Sequence, residues 1–271
     1  MNKGKAAANQ QKKPPVLRSA LKALLPAFLR NQWQAKWRRL KLEIPAGGVN
    51  FGDLRRFAPV SRAFGFDRGT PVDRYYIEQF LSANAADIRG RVLEVGDNFY
   101  TRKFGGRRVT RSDILHATAD NPKATIVADL TRSDELPADI FDCVILTQTL
   151  QFIYDVKAAV RSLYRILKPG GVLLATVPGI SQISRYDMER WGEYWRFTTL
   201  SVRRLFAEVF PPENVMVGAY GNVVAAIAFL HGLAAEELSA AELAFNDPDY
   251  ELLITVRAVK PLPNSEKGAE Q

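Results

Sequence analysis

Three carboxylates at the ends of apolar runs carry the first chemical signal in this chain. Leu93-Glu94-Val95-Gly96 closes one run, Asp113 closes a second, and Ala128-Asp129-Leu130 closes a third. An ionised carboxylate is an acceptor-only group and can accept hydrogen bonds from two hydroxyls at once. Three of them delivered to one edge of a doubly wound α/β sheet make a nucleoside site, because ligands in such sheets lie just outside the carboxyl ends of the strands. Taken singly, each acid has an ordinary reading as a turn or helix cap. A second cluster runs from Ser184 to Thr198 and holds Tyr186, Trp191, Tyr194, Trp195 and Phe197 beside Asp187, Glu189, Glu193 and three arginines. Aromatic faces and carboxylates suit an acceptor that carries hydroxyls, and Asp187, Glu189 and Glu193 are the candidate general bases.

Positioning these groups takes alternating strands and helices. Apolar patterning predicts strands at 91–96, 107–112, 125–129, 141–147 and 172–177, with helices at 72–86 and 155–168. The second helix stops at the breakers Lys168-Pro169-Gly170-Gly171. Such alternation implies a parallel sheet. A helix at 199–209, a strand at 214–219, an apolar helix at 222–238 and a last strand at 250–258 follow. Residues 45–71 are rich in Gly, Pro and Arg and read as an ordered loop over the entrance. The expected organisation is a basic arm over 1–44, one α/β domain over 45–260 and a loose polar tail over 261–271.

Charge is unevenly spread. The chain has 271 residues and a net charge of +8, yet residues 1–42 hold eleven lysines and arginines and no acid. The remainder carries 26 basic against 29 acidic residues, a balance of −3. Leu17, Leu21, Leu24, Phe28, Trp33, Trp37 and Leu40 recur at roughly helical spacing among those cations. That pattern over 16–42 fits peripheral contact with an anionic membrane or a partner, or a solvated helix that lays its apolar face on the domain. No run is long enough to span a bilayer and no leader peptide is evident, so a cytoplasmic protein is expected. The single cysteine, Cys143, sits in an apolar run and reads as a buried small hydrophobe in a reducing compartment. His116 and His231 mark no metal site, and no Cys/His spacing suggests one.

Residues 91–177 resemble the core of a class I S-adenosylmethionine-dependent methyltransferase of the small-molecule type. The resemblance rests on Leu93-Glu94-Val95-Gly96, Asp113, Ala128-Asp129-Leu130, and the run from Phe141 through Leu163-Tyr164-Arg165-Ile166-Leu167-Lys168-Pro169-Gly170-Gly171. It implies a seven-stranded sheet with the last strand antiparallel, and S-adenosyl-L-methionine as cofactor. It also implies roles: Asp113 on the ribose diol, Asp129 and the Leu130 N–H on adenine, and Gly96 against the amino acid end. Glu94 would organise the loop or meet the ammonium through water, with Asp97 in that loop and Gln148 after the fourth strand completing the set. Two departures stand out. The expected Gly-x-Gly-x-Gly has Asn98 and Tyr100 at its later positions; asparagine tolerates left-handed angles, and Tyr100 would crowd the pocket or pack beneath it. Where many relatives read Leu-Glu-His, this chain reads Leu150-Gln151-Phe152. Segment 184–198 is similar to methyltransferases encoded with glycan-building enzymes, which implies methyl transfer to an oxygen of a small molecule or glycan. A nucleic-acid methyltransferase steered by the basic arm is a weaker alternative, since Thr147-Gln148-Thr149-Leu150 replaces the Asn/Asp-Pro-Pro-aromatic motif. A binding module without catalysis is the third reading.

Overall fold

Strands without polar alternation form the middle of the sheet. β4 (Phe141–Thr147) is buried everywhere except Asp142 and Thr147, as expected of a strand covered on both faces. The computed structural model describes residues 48–263. Calls on the basic arm and on most of the tail lie outside the described residues. Two units divide the chain, Met1–Arg56 and Phe57–Gln271. The described part of the first has one 3₁₀ turn, Gly52–Leu54.

In the second unit the order is α1 (Val72–Ala83), β1 (Gly90–Val95), β2 (Val109–His116), β3 (Ile126–Val127), β4, α2 (Val156–Ile166) and β5 (Leu167–Pro178). Then come α3 (Arg185–Trp191), α4 (Thr199–Ala207), β6 (Val215–Tyr220), α5 (Val223–Leu230), α6 (Ala240–Ala244) and β7 (Leu253–Val259). The sheet order is β3-β2-β1-β4-β5-β7-β6. β7 runs antiparallel to both its neighbours and the other pairings are parallel. This is the seven-stranded α/β sheet that the resemblance implies. One core joins a sheet face to α2 and α4; the other joins the opposite face to α1 and α5. Cys143 is fully buried in the second core, and burial pushes its thiol far up, which makes it inert.

Several boundaries differ from the expected ones for local reasons. β2 begins two residues late because Arg107 and Arg108 belong to a 3₁₀ turn opened by Gly106 at φ +55°. It also runs on to His116, since Ile114 and Leu115 are buried and pair with Glu94 and Val95. β5 takes in Lys168-Pro169-Gly170-Gly171 across a register shift against β4. The apolar helix at 222–238 stops at Leu230: Gly232 turns at φ +68°, and a side chain there would strike the Ser61 backbone. No helix among the described residues is long and apolar enough to cross a membrane.

Candidate functional site

The carboxyl edges of β1, β2, β4 and β5 open on one cleft of about 1410 Å³. At the end of β1, Gly96 has φ +87°, and a Cβ there would meet nothing within 4 Å. The glycine is therefore required by its backbone angle and not by crowding. Its N–H donates to Leu115 O at 2.9 Å, and Asn121 Nδ2 donates to its carbonyl at 2.7 Å.

The loop without its glycines works differently from the expected turn. The chain enters a helical turn directly, with Arg102 N donating to Asn98 O, and continues as a π-turn over Thr101–Gly105. Asn98 has no left-handed angle; its amide donates to Ser112 Oγ at 3.2 Å. Glu94 holds the turn from below. It is 2% exposed and accepts Tyr100 N at 3.1 Å, Thr101 N at 2.7 Å and Thr101 Oγ1 at 2.7 Å. Burial pushes its carboxyl up to about 7, against the pull of those donors. Tyr100 is buried against Phe99 and Phe104. Asp97 accepts the Phe99 N–H at 3.0 Å.

Asp113 is not part of the cleft wall. The expectation that it ends the second strand is corrected: β2 continues for three residues in register with β1 and β3, so His116 stands at the carboxyl edge instead. Asp113 is 1% exposed, with Arg91 Nε at 2.6 Å, Arg111 Nε at 3.2 Å and Thr125 Oγ1 at 3.0 Å. Burial works against its ionisation, yet the Arg91 and Thr125 hydrogen bonds and both guanidiniums hold the carboxyl below its usual range. His116 lines the cleft and packs edge-on to Trp191, ring centres 5.6 Å apart.

Asp129 and Leu130 both line the cleft; Asp129 Oδ1 accepts Thr131 N at 2.8 Å. After β4, Gln148 takes φ +48° while its N–H donates to Thr176 O at 2.9 Å. A non-glycine residue in that region is strained and merits attention. Gln151, 4% exposed, stands at the middle position of the departed Leu-Glu-His run. Its amide donates to Gln148 Oε1 at 3.2 Å, and its own Oε1 has no partner among the described residues.

The segment after β5 borders the cleft through Tyr186, Asp187, Trp191, Glu193 and Tyr194. It is anchored by Tyr194 N to Gln151 O at 2.8 Å and Trp195 Nε1 to Ile153 O at 3.0 Å. The three candidate bases separate. Asp187 accepts from Ser184 Oγ at 2.6 Å and faces the cleft. Glu193 pairs with Arg196 at 2.6 Å and accepts Ser184 N at 2.8 Å, which commits both its oxygens. Glu189 is exposed and outside the cleft; two residues beyond Asp187 on α3, it is turned about 200° away. Phe197 belongs to the core and not to the cleft. The sequence reading missed Asp73, Arg74 and Glu78, which α1 brings to the lining of the cleft. Among the described residues no cluster of His, Cys, Asp or Glu is placed to hold a metal.

Part of the chain is similar in sequence to known proteins. Residues 93–175 fit a family model described as a methyltransferase domain. Over 55 residues the chain is 46% identical to the ubiquinone/menaquinone biosynthesis C-methyltransferase UbiE of Pectobacterium atrosepticum. That stretch is 19% of this chain and 22% of the relative, so the match spans about a fifth of the length of the curated relatives. Among solved structures, a SAM dependent methyltransferase from Archaeoglobus fulgidus aligns with TM-score 0.47 and 11% identity, covering 69% of this chain and 94% of that one. The N-methyltransferase NodS from Bradyrhizobium japonicum, solved with S-adenosyl-l-homocysteine, aligns with TM-score 0.45 and 14% identity, covering 75% and 95%.

Proposed function

The chain carries a class I methyltransferase domain, and from that premise we propose that it transfers a methyl group from S-adenosylmethionine to an oxygen of a small molecule or glycan intermediate. The observation behind this reading is that one cleft borders both clusters. It reaches from the turn at Glu94–Asp97, past Asp129 and Leu130, to Asp187, Glu193 and Tyr194. A single ligand usually fills about 300–1,000 Å³, so a cleft of about 1410 Å³ has room for cofactor and acceptor together.

In this proposal Asp129 accepts from the adenine amine and the Leu130 N–H meets a ring nitrogen. Gly96 lets the backbone approach the amino acid end, with Asp97 and Gln148 beside it. His116 faces the ribose in the place first assigned to Asp113, and Glu94 acts by holding the turn. The acceptor oxygen attacks the methyl carbon, the carbon–sulfur bond breaks with its electron pair moving to sulfur, and S-adenosylhomocysteine leaves. Alignment of oxygen, methyl and sulfur in a dry cleft supplies most of the acceleration. The hydroxyl proton goes to Asp187, the candidate base that faces the cleft without a cationic partner among the described residues. Glu193 keeps Arg196 and Ser184 in place, and Glu189 has no part. The relatives' names span carbon and nitrogen acceptors, so the choice of oxygen rests on the aromatic and acidic character of the segment after β5.

Calorimetry with S-adenosylmethionine and S-adenosylhomocysteine tests the cofactor, with one site expected for each. Silence with both, in folded protein, rules the reading out. Mass spectrometry of labelled product from a panel of saccharides, phenols and amines then locates the methyl. A product methylated on nitrogen or carbon replaces the oxygen assignment.

A further inference from the structure

Among the described residues, three arginines and no lysine line the cleft: Arg62, Arg74 and Arg185. Arg74 stands beside the Tyr100 phenol, on the turn that leaves Gly96. Arg62 and Arg185 have no task in the scheme above. Both are exposed, and neither makes an ion pair among the described residues; there the Arg185 guanidinium meets only the Met188 sulfur, at 3.7 Å. Seven carboxylates line the same cleft, so these two cations go unpaired by placement and not for want of acids. A hydrogen bond joins the segments that carry them: Gln182 Nε2 donates to Arg62 O at 3.4 Å. Arg185 follows Gln182 by three residues, a stretch of at most about 11 Å. Gln182 is itself held by Arg196 Nη2, which donates to its carbonyl at 2.6 Å, and Arg196 pairs with Glu193. Two unpaired guanidiniums therefore stand close to the segment that presents Asp187.

Guanidinium forks bind the oxygens of phosphates and carboxylates. A single fork satisfies a carboxylate. Two forks suit a phosphoryl group, which brings about two negative charges and three acceptor oxygens. The neighbouring wall suits a ring. Tyr154 and Tyr194 line the cleft and are exposed, with ring centres 5.3 Å apart edge-on. Tyr154 also lies over Trp195, ring centres 5.8 Å apart, which steadies an aromatic face. We propose that Arg62 and Arg185 bind a phosphoryl group on the acceptor, which makes the substrate a phosphorylated sugar. The inference rests on the methyl-transfer reading and names the class of its acceptor.

Phosphorus NMR of glucose 1-phosphate, titrated with the full chain and S-adenosylhomocysteine at physiological salt, tests the phosphoryl site. Calorimetry of S-adenosylhomocysteine on the same samples keeps the premise separate and reports an intact fold. The wild type should broaden the phosphorus line. Arg62→Gln and Arg185→Gln should each raise the Kd about tenfold or more, the lower end for losing a charged hydrogen bond, with S-adenosylhomocysteine affinity unchanged. Arg203 is exposed on α4 and outside the cleft; Arg203→Gln should leave the Kd within about twofold, because a distant surface charge is screened. Glucose and glucuronate, added as competitors, should each bind at least about tenfold more weakly than the phosphate. A phosphorus line that stays sharp while S-adenosylhomocysteine binds overturns the inference. So does an unchanged Kd in Arg62→Gln or Arg185→Gln, an equal rise in Arg203→Gln, or a competitor as tight as the phosphate. If S-adenosylhomocysteine does not bind the wild type, the methyl-transfer reading itself falls, and this inference with it.

Discussion

Glu94 and Asp113 are buried carboxylates on adjacent strands, and the fold treats them in opposite ways. Glu94 receives only neutral donors, two backbone N–H groups and a hydroxyl, and its carboxyl is pushed up to about 7. Asp113 is even less exposed but sits between two guanidiniums and is held below its usual range. Depth alone therefore does not decide ionisation here; the charge of the partners does. The difference also divides labour. Asp113 is spent on the sheet, clamping β1 to β2, whereas Glu94 shapes the turn that walls the cleft.

The largest test removes the clamp. Arg91→Leu leaves Asp113 buried with Thr125 as a neutral donor and the exposed Arg111 as its one cationic partner among the described residues, and should cost about 3 kcal/mol, the lower end for breaking a buried pair. Urea denaturation measures it, with S-adenosylhomocysteine affinity expected to stay put because Asp113 is outside the cleft. A loss under about 0.5 kcal/mol would erase the contrast with Glu94.

Acidity sharpens the comparison. A folded carboxyl raised to about 7 makes folding least costly below its unfolded value and progressively costlier up to 7. A lowered one such as Asp113 contributes stability above its unfolded value, and that contribution is lost as pH falls through its folded value. Wild-type stability measured against Glu94→Gln should therefore fall by about 3 kcal/mol between about pH 4.5 and 7 and then level off. Measured against Asp113→Asn, it should instead fall on acidification below about pH 4. Parallel curves for the two pairs would show that the acids are treated alike.

The smallest effect carries the lesson to the segment after β5. Glu189→Ala removes an exposed acid that touches neither cleft nor core, and stability should stay within about 0.5 kcal/mol with methyl transfer unchanged. Asp187→Ala should slow turnover by about a hundredfold, the low end for a positioned base. Equal effects from the two would remove the distinction that α3 draws between them.

Much of this was legible in the residues. β4 was read at its true bounds because a run of buried apolar side chains needs no partner to be recognised. The antiparallel last strand followed from the family resemblance. Asp113 was misplaced for a physical reason: where a strand ends depends on the register of its neighbours, and Leu115 and His116 are held by Val95 and Val127, far off in sequence. Asp73 and Arg74 were invisible for a related reason. Nothing local marks them, and only the packing of α1 carries them to the cleft.

Cys143 offers the molecule a built-in clock. It is the chain's one thiol, sealed in β4 between Val92 of β1 and Val172 of β5. A thiol reagent can reach it only when the middle of the sheet parts, so the labelling rate counts openings of the most protected element. β1 and β4 also end at the cleft, and a ligand held there by the closed form alone must slow that count by mass action. Occupancy of the site could thus be timed from a sulfur atom that no ligand touches.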